Sequence, residues 1–511
     1  MSSLEVPEKP VLDVQDKLSV DVTDVSPKQE EHVFHNQAAA LVPEEGVSAE
    51  EKRRLLRKLD LLLLPLASGC VLLQMLDKTL INYASLMGFK QDIGLEKQQY
   101  AWLGSIFYFG YMAGTPLHSF ALQKFPLSPY VAAIVVIWGG VLACHAAAMS
   151  YSSFLAVRFF LGFFEAAINP GFILLTGRFY TRKEQVVRVA VWYSMNGWAM
   201  IVGGAMTYGI LVNPAPTINR WQEMFVGVGI ITIAFGVLCF FIMPSSPETT
   251  RYLNERERGV AVLRVASNKS GIHDSRIKKY QVIEALTDIR LYIFFFGFCS
   301  VNITNGGISI FASQIITAFN FSTPKAALLG MCQGAGEVVA VVIGTAIFLW
   351  INRRDIPCLF GYAVAIAGGV MMTVLGEDKP ISRMAGLSLL YFFPASYPMF
   401  YSWMSGAVSG TTKRIIFNAV LQVAYCVGNI IGPQVYQDKE KPQYTTAKTV
   451  DFVMFAVSAG FIMMLSCVHW VWNRQRDKRA AETETLNHDQ QLDTDLSDLT
   501  DKERASYRYP Y

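Results

Sequence analysis

Arg158, Gly162 and Glu165 share one apolar run at spacings of four and three residues, which brings a cation, a gap and a carboxylate onto one face of a helix. Asp77 and Lys78 stand side by side in another apolar run. An ionisable group at the centre of a hydrocarbon span costs about 2.5–3.5 kcal/mol on insertion scales, so these four would cost on the order of 10 kcal/mol if unpaired. They must pair with one another or face a hydrated cavity. Desolvation favours the neutral form of a carboxyl, which gives Asp77 and Glu165 the chemistry of proton carriers. Lys78 and Arg158 have the chemistry of anion binders, freed or held according to whether the neighbouring acid carries a proton.

Such residues need membrane-spanning helices to position them. Of 511 residues, 52% are hydrophobic, and the runs between charges approach the roughly 20 residues that one span requires. Runs and breakers place spans near 60–81, 100–121, 129–150, 153–176, 186–212 and 222–243, then 289–318, 325–350, 356–375, 381–408, 415–436 and 449–473. A charged stretch from Pro244 to Asp288, holding Arg251, Arg256, Arg258, Arg264, Lys278 and Lys279, separates the sixes. The organisation expected is a disordered N-terminal tail (1–55), a six-helix half (56–243), a linker (244–288), a second half (289–473) and a disordered C-terminal tail (474–511). At about 1.5 Å per residue, Asp77 and Arg158 fall in the outer third of the membrane and Glu165 near its middle, which suggests an Asp77–Arg158 pair. Lys78, about 100° around the helix from Asp77, points elsewhere.

Basic residues cluster at Arg53–Lys58, Arg182–Arg188, Arg353–Arg354, Lys413–Arg414 and Arg474–Arg479, while the loop between spans three and four has no charge. The positive-inside rule then puts both termini in the cytosol. Eight cysteines show no disulfide or zinc spacing, and the N-terminal region lacks the order of a cleaved signal peptide. No metal-ligand cluster, phosphate loop or nucleophile elbow supports an enzyme, and the net charge of +3 implies no nucleic-acid partner. Twelve spans divided six plus six make an all-α membrane protein with the layout of the major facilitator fold, whose halves contain inverted three-helix repeats.

Several longer motifs resemble the fungal allantoate permease family. They are LDKTLINY (Leu76–Tyr83), QYAWLGSIFYFGY (Gln99–Tyr111), RFFLGFFEAAINPGF (Arg158–Phe172), FYTRKEQVVR (Phe179–Arg188) and WYSMNG (Trp192–Gly197). In the second half TNGGI (Thr304–Ile308), TKR (Thr412–Arg414) and GNIIGPQ (Gly428–Gln434) are similar as well, so the resemblance covers residues 55–475. It implies a monomeric plasma-membrane carrier of the anion:cation symporter branch, with no cofactor, driving uptake of small organic anions with protons. Allantoate, ureidosuccinate, vitamin carboxylates, amino acids and small peptides are the cargo classes implied. It also implies that Asp77 and Glu165 couple protons while Lys78 and Arg158 bind the anion. Lys78 stands where other branches have arginine, and lysine lacks the two-point fork that arginine offers a carboxylate.

The residues leave alternatives open. Arg158 and Glu165 could form a fixed brace rather than a proton site. Asn302, Asn305 and Gln333 suit hydrogen bonds to an amide or ureido group, and a helix break at Asn305 beside Gly306 and Gly307 would bare backbone to cargo, unless it is a simple packing kink. Tyr391 and Tyr397, in a span interrupted by Pro394 and Pro398, could contact cargo or pack. For Glu337, His118 and His145 local helix contacts are the favoured reading. Asn320, in a short outer loop, is the one N-x-S/T site that topology leaves open to a glycan. Export of a fungal metabolite on the same scaffold is the alternative to uptake.

Overall fold

The computed structural model describes residues 47–214, 216, 218–266, 278–482, 499–504 and 507–511; most of the expected N-terminal tail lies outside them, as does Asn268. Ser48 starts the first helix by accepting the Glu51 amide at 3.1 Å, with Glu50 and Glu51 at the positive end of the helix dipole. This helix, α1 (Ala49–Ala84), has 36 residues and a length of about 54 Å, so it extends well past the hydrocarbon layer. It is followed by α2 (Phe89–Asp92), α3 (Gln99–Lys124), α4 (Leu127–Cys144), α5 (Tyr151–Glu165) and α6 (Ile168–Phe179). Then come α7 (Arg182–Tyr193), α8 (Met195–Val212), α9 (Arg220–Ile242), and two linker helices, α10 (Glu255–Ala266) and α11 (Lys279–Leu286). The second set comprises α12 (Ile289–Thr317), α13 (Thr323–Ile351), α14 (Asp355–Val374), α15 (Pro380–Leu390), α16 (Ser396–Ala407), α17 (Thr411–Val435) and α18 (Thr445–Glu482).

Among the described residues, ten helical stretches are long and apolar enough to cross a membrane. Their outer faces carry bare apolar side chains such as Leu61, Trp350 and Val374, as contact with lipid requires. The other two crossings are α3, with 26 residues, and the stretch made of α15 and α16. A short 3-10 turn at Phe393–Ala395 interrupts that stretch, because Pro394 and Pro398 lack the amide hydrogens that a continuous helix would use. A second break falls directly after Glu165. Pro170 removes the donor that would bond the Ala166 carbonyl, so α5 ends at Glu165 and α6 begins at Ile168.

Close backbone contacts set the helix pairs. A Cβ on Gly110 would fall 1.9 Å from the Phe159 carbonyl oxygen and one on Gly162 2.0 Å from that of Phe107, so α3 and α5 pack without intervening side chains. The gap at Gly162 is filled by a neighbouring helix rather than left for cargo. The expected break at Asn305 is absent: α12 is continuous through it, and α17 lies in the groove made by Gly306 and Gly307, where a Cβ on Gly432 would fall 2.2 Å from the Ile303 carbonyl oxygen.

The C-terminal tail also departs from the expectation of disorder. The α18 helix extends to Glu482, and the last described residues fold back onto the linker end of the second helix set. Asp501 is buried between Arg290 at 2.6 Å and Lys413 at 2.9 Å. Arg476 donates to the Asp501, Arg504 and Tyr507 carbonyls, Trp403 donates to the Pro510 carbonyl at 2.9 Å, and the Arg354 amide donates to that of Tyr511. The segment thereby ties together the ends of α12, α14, α16, α17 and α18.

Candidate functional site

The four charged residues of the first helix set are all brought to one place, by α1 and α5 with α3 between them. Their pairing differs from the depth argument. Lys78 Nζ lies 2.7 Å from Glu165 Oε1, while Asp77 and Arg158 come within 4.0 Å of no opposite charge among the described residues. Asp77 Oδ2 instead accepts the indole N–H of Trp138 on α4, and Arg158 Nε donates to the Leu103 carbonyl at 3.3 Å. Depth along a helix fixes height but not azimuth, and Trp138 occupies the direction in which Arg158 was expected.

The Phe107 ring is shared by the two cations, with Lys78 Nζ and the Arg158 guanidinium each 5.6 Å from its centroid; Tyr111 lies 5.9 Å from Lys78. Asp77 and Glu165 are fully buried and Arg158 nearly so. Lys78 keeps 14% of its side-chain surface where Glu165 keeps none, so of the pair the lysine is the side chain that retains exposed surface. Hydrogen bonding here is incomplete. Asp77 Oδ1, Arg158 Nη1 and Glu165 Oε2 make no well-formed hydrogen bond, and Gln74 Nε2, likewise without one, stands beside the Glu165 carboxyl.

The polar residues of the second set divide into two groups. Asn302 Oδ1 accepts from Tyr397 at 2.8 Å and Asn429 at 3.0 Å, its Nδ2 donates to the Phe298 carbonyl, and Asn305 Nδ2 donates to Asn429 Oδ1 at 2.8 Å. Asn302 and Tyr397 are thus engaged with each other, and Asn305 with Asn429, rather than held open as expected for cargo ligands. Gln333 and Tyr391, by contrast, are buried with Nε2 and Oη unpartnered. His118 bonds Tyr130 at 2.6 Å and the Phe163 carbonyl at 2.9 Å, and His145 bonds backbone carbonyls and stacks on Phe225, so both make the local contacts expected.

An aromatic path joins the two sets. Tyr111 and Tyr108 of α3 lie 6.1 and 5.7 Å from Tyr425 of α17; Phe298 follows at 6.5 Å, then Tyr397, which stacks on Tyr193 at 6.1 Å. Of these tyrosines sequence reasoning singled out Tyr397 alone, and it passed over Phe107, Trp138 and Gln74. The signal was there for some: Phe107 and Tyr111, like Gln74 and Lys78, are four apart on one helix face.

At the end of the bundle opposite the linker the two sets are tied together. The Ser313 amide donates to Asn82 Oδ1 at 2.9 Å, Tyr100 to the Ile310 carbonyl at 2.9 Å, Lys90 to Gln314 Oε1 at 2.6 Å and Gln98 to the Tyr436 carbonyl at 2.9 Å. Deeper in, Ser105 donates to the Ile430 carbonyl at 2.7 Å. The route to the charged cluster is closed from that end.

Comparison with known proteins agrees with this arrangement. Residues 67–433 match the family model described as Major Facilitator Superfamily. A transporter of Schizosaccharomyces pombe is 34% identical across 100% of both chains, and the allantoate permease of Saccharomyces cerevisiae is 34% identical over 91% of this chain and 87% of its own. Among solved structures, a bacterial homologue of the human lysosomal transporter Spinster, inward-facing and unoccupied, superposes with a TM-score of 0.60 at 15% identity over 82% of this chain and 97% of its own. A multi-pass helical bundle with Asp77, Lys78, Arg158 and Glu165 gathered in its first helix set, matched over most of its length by such relatives, belongs to the major facilitator superfamily of transporters and, within it, to the fungal allantoate permease family.

Proposed function

We propose that the chain is a proton-coupled carrier that takes up a small organic anion across the plasma membrane, with both termini in the cytosol. The observation that carries this reading is the Lys78–Glu165 pair, a buried carboxylate held by the one cation of the cluster that retains accessible surface. A cargo carboxylate and Glu165 compete for the same ammonium. Protonation of Glu165 releases Lys78 to the cargo; loss of proton and cargo on the other side restores the pair, so neither flux completes without the other. Asp77 is the second proton-linked acid, and Arg158 adds positive potential from beneath Phe107. A fixed brace would be expected to saturate its hydrogen bonds, and the free atoms on Asp77, Arg158 and Glu165 argue for exchange instead.

Allantoate is the first cargo to try, on the strength of the yeast relative. The test is uptake of labelled allantoate at acidic external pH in fungal cells without their own carriers, with and without a protonophore, beside Glu165→Gln. Accumulation that the protonophore and the substitution both abolish is the expected result. Accumulation indifferent to both would remove the proton role of Glu165. No uptake by protein present at the surface would move the reading to another anion or to export.

A further inference from the structure

Glu337 of α13 is buried, and no hydrogen bond or ion pair reaches its carboxyl among the described residues. One helical turn earlier on the same face, Gln333 is buried with Nε2 unpartnered. Tyr391, at the interruption between α15 and α16, lies within electrostatic reach of Glu337 and has an unpartnered hydroxyl. Its segment is held against α13 where a Cβ on Gly336 would sit 2.8 Å from the Ser388 carbonyl oxygen, so the placement of Tyr391 is fixed by packing. Buried polar groups are ordinarily satisfied, and two buried polar atoms left open, on Gln333 and Tyr391, beside a carboxyl with no bonded partner mark a place where hydrogen-bonding partners arrive from outside.

The patch lies at the far end of the aromatic path that starts at Lys78. Tyr193, which ends that path, is itself within electrostatic reach of Glu337. One pole of the path thus offers a cation to a carboxylate. The other offers a carboxamide N–H, a phenol and a carboxyl, with no cation recorded against the carboxyl. Such an unpaired acid in a membrane interior is accommodated in its neutral form. Neutral carboxyl, amide and phenol together complement a neutral group bearing both N–H donors and a carbonyl acceptor.

We propose that Gln333, Glu337 and Tyr391 form a second cargo subsite, which takes the amide-like end of an organic anion whose carboxylate is held at Lys78. The assignment rests on the anion-carrier reading above and adds to it the residues that read the uncharged end of the cargo. It replaces Asn302, Asn305 and Tyr397 in that role, since those three are engaged with one another and with Asn429.

The full chain, purified in detergent, would be tested by ligand-induced thermal stabilisation with three acids: N-carbamoyl-β-alanine, and the shorter β-alanine and butyrate, which share its carboxylate and lack the carbamoyl group. Binding of the carbamoyl acid about tenfold or more tighter than butyrate is expected, from two or three added hydrogen bonds. Gln333→Leu and Glu337→Leu should bring the carbamoyl acid to the level of butyrate while leaving butyrate unchanged. Glu337→Gln, which keeps neutral hydrogen bonding, should retain the preference within about threefold. A preference that survives both leucine variants overturns the subsite. So does β-alanine outranking the carbamoyl acid, or Glu337→Gln losing the preference as fully as Glu337→Leu, because each would mean that Glu337 acts as an anion. Failure of all three acids to bind would count against the anion carrier itself, and is distinguishable from loss of preference alone.

Discussion

Two clusters in this molecule each bury two cations and two carboxylates, and they differ in how far their hydrogen bonds are completed. At the linker end, Arg290 bonds Asp288 through Nε and Nη2, Asp501 through Nη2 and the Ala407 carbonyl through Nη1, while Lys413 reaches Glu284, Asp288 and Asp501 within 3.0 Å. None of these charged atoms is left without a partner. In the membrane interior, Asp77, Arg158 and Glu165 each keep an unpartnered atom, and Lys78 has Glu165 as its one ion-pair partner among the described residues. The buried charges balance in both, and the partly exposed Glu284 adds a third carboxylate at the linker end. Saturation is what separates a cluster that locks a fold from one that can exchange partners.

The sharpest way to break this comparison is to remove one lysine from each cluster. Lys78→Gln should lower uptake by about a hundredfold or more, since loss of one partner of a buried charge pair costs roughly 2–5 kcal/mol, with the protein still reaching the surface in normal amount. Lys413→Gln should leave the cargo concentration for half-maximal uptake unchanged in whatever protein survives, and reduce its amount. Radiolabelled uptake normalised to surface protein reads both. Equal effects of the two on half-saturation would erase the distinction.

Next in size is the tail. Asp501→Asn removes a charge that faces two buried cations and should destabilise the purified protein by about 3 kcal/mol, with a similar or larger loss when the chain is truncated before Leu499. A melting curve in detergent checks it. A truncated chain that melts with the full-length one would mean that the docked segment stabilises nothing.

These two regions were unequally legible from the chain. Hydropathy placed the spans and the interruption at Pro394, because length and proline act locally. The identity of the buried charges was legible too, since Asp77, Lys78, Arg158 and Glu165 have no reason to stand in apolar runs. Their pairing was not: the indole of Trp138, one tryptophan among nine in the sequence, captures Asp77 through a contact 61 residues distant. The linker-end cluster was hidden for another reason. Lys413 reads as an ordinary cytosolic-loop base, and the tail is polar enough to read as disordered, so nothing local reveals that Asp501 completes the cluster.

The clusters should also differ in their response to pH. Burial raises the carboxyls of Asp288 and Asp501, but Arg290 and Lys413 outweigh it and hold both below the usual carboxylate range. A depressed folded value contributes stability that is fully present above the unfolded value of about 3.9 and is lost only as pH falls through the folded one. Melting temperature should therefore be flat from about pH 5 to 9 as far as the tail is concerned, in the wild type and in Lys78→Gln alike. A tail that undocks near neutral pH, followed by protease access to Asp501 and its described neighbours, would contradict the assignment of these ion pairs.

The smallest effect expected is at the opposite end, where Lys90 closes the seal against Gln314. Burial and the neighbouring Lys441, opposed by Asp438, together lower Lys90 to about 7, while Tyr100 lies beneath its Nζ at 3.9 Å. Opening the seal would hydrate the amine and return it towards about 10.4, so the open form binds the extra proton. Between those values, falling pH at that end favours opening; below about 7 both forms are charged and the dependence from this group ends. Labels on Glu96 and Lys439, both exposed at the seal, would report this as a shift towards the longer inter-label distance as pH falls from 10 to 7. Lys90→Met should flatten that response while leaving the Lys78-dependent uptake step in place. A response that persists in Lys90→Met would place the sensing group elsewhere in the seal, and one that continues below pH 6 would point back to the carboxylates of the interior cluster.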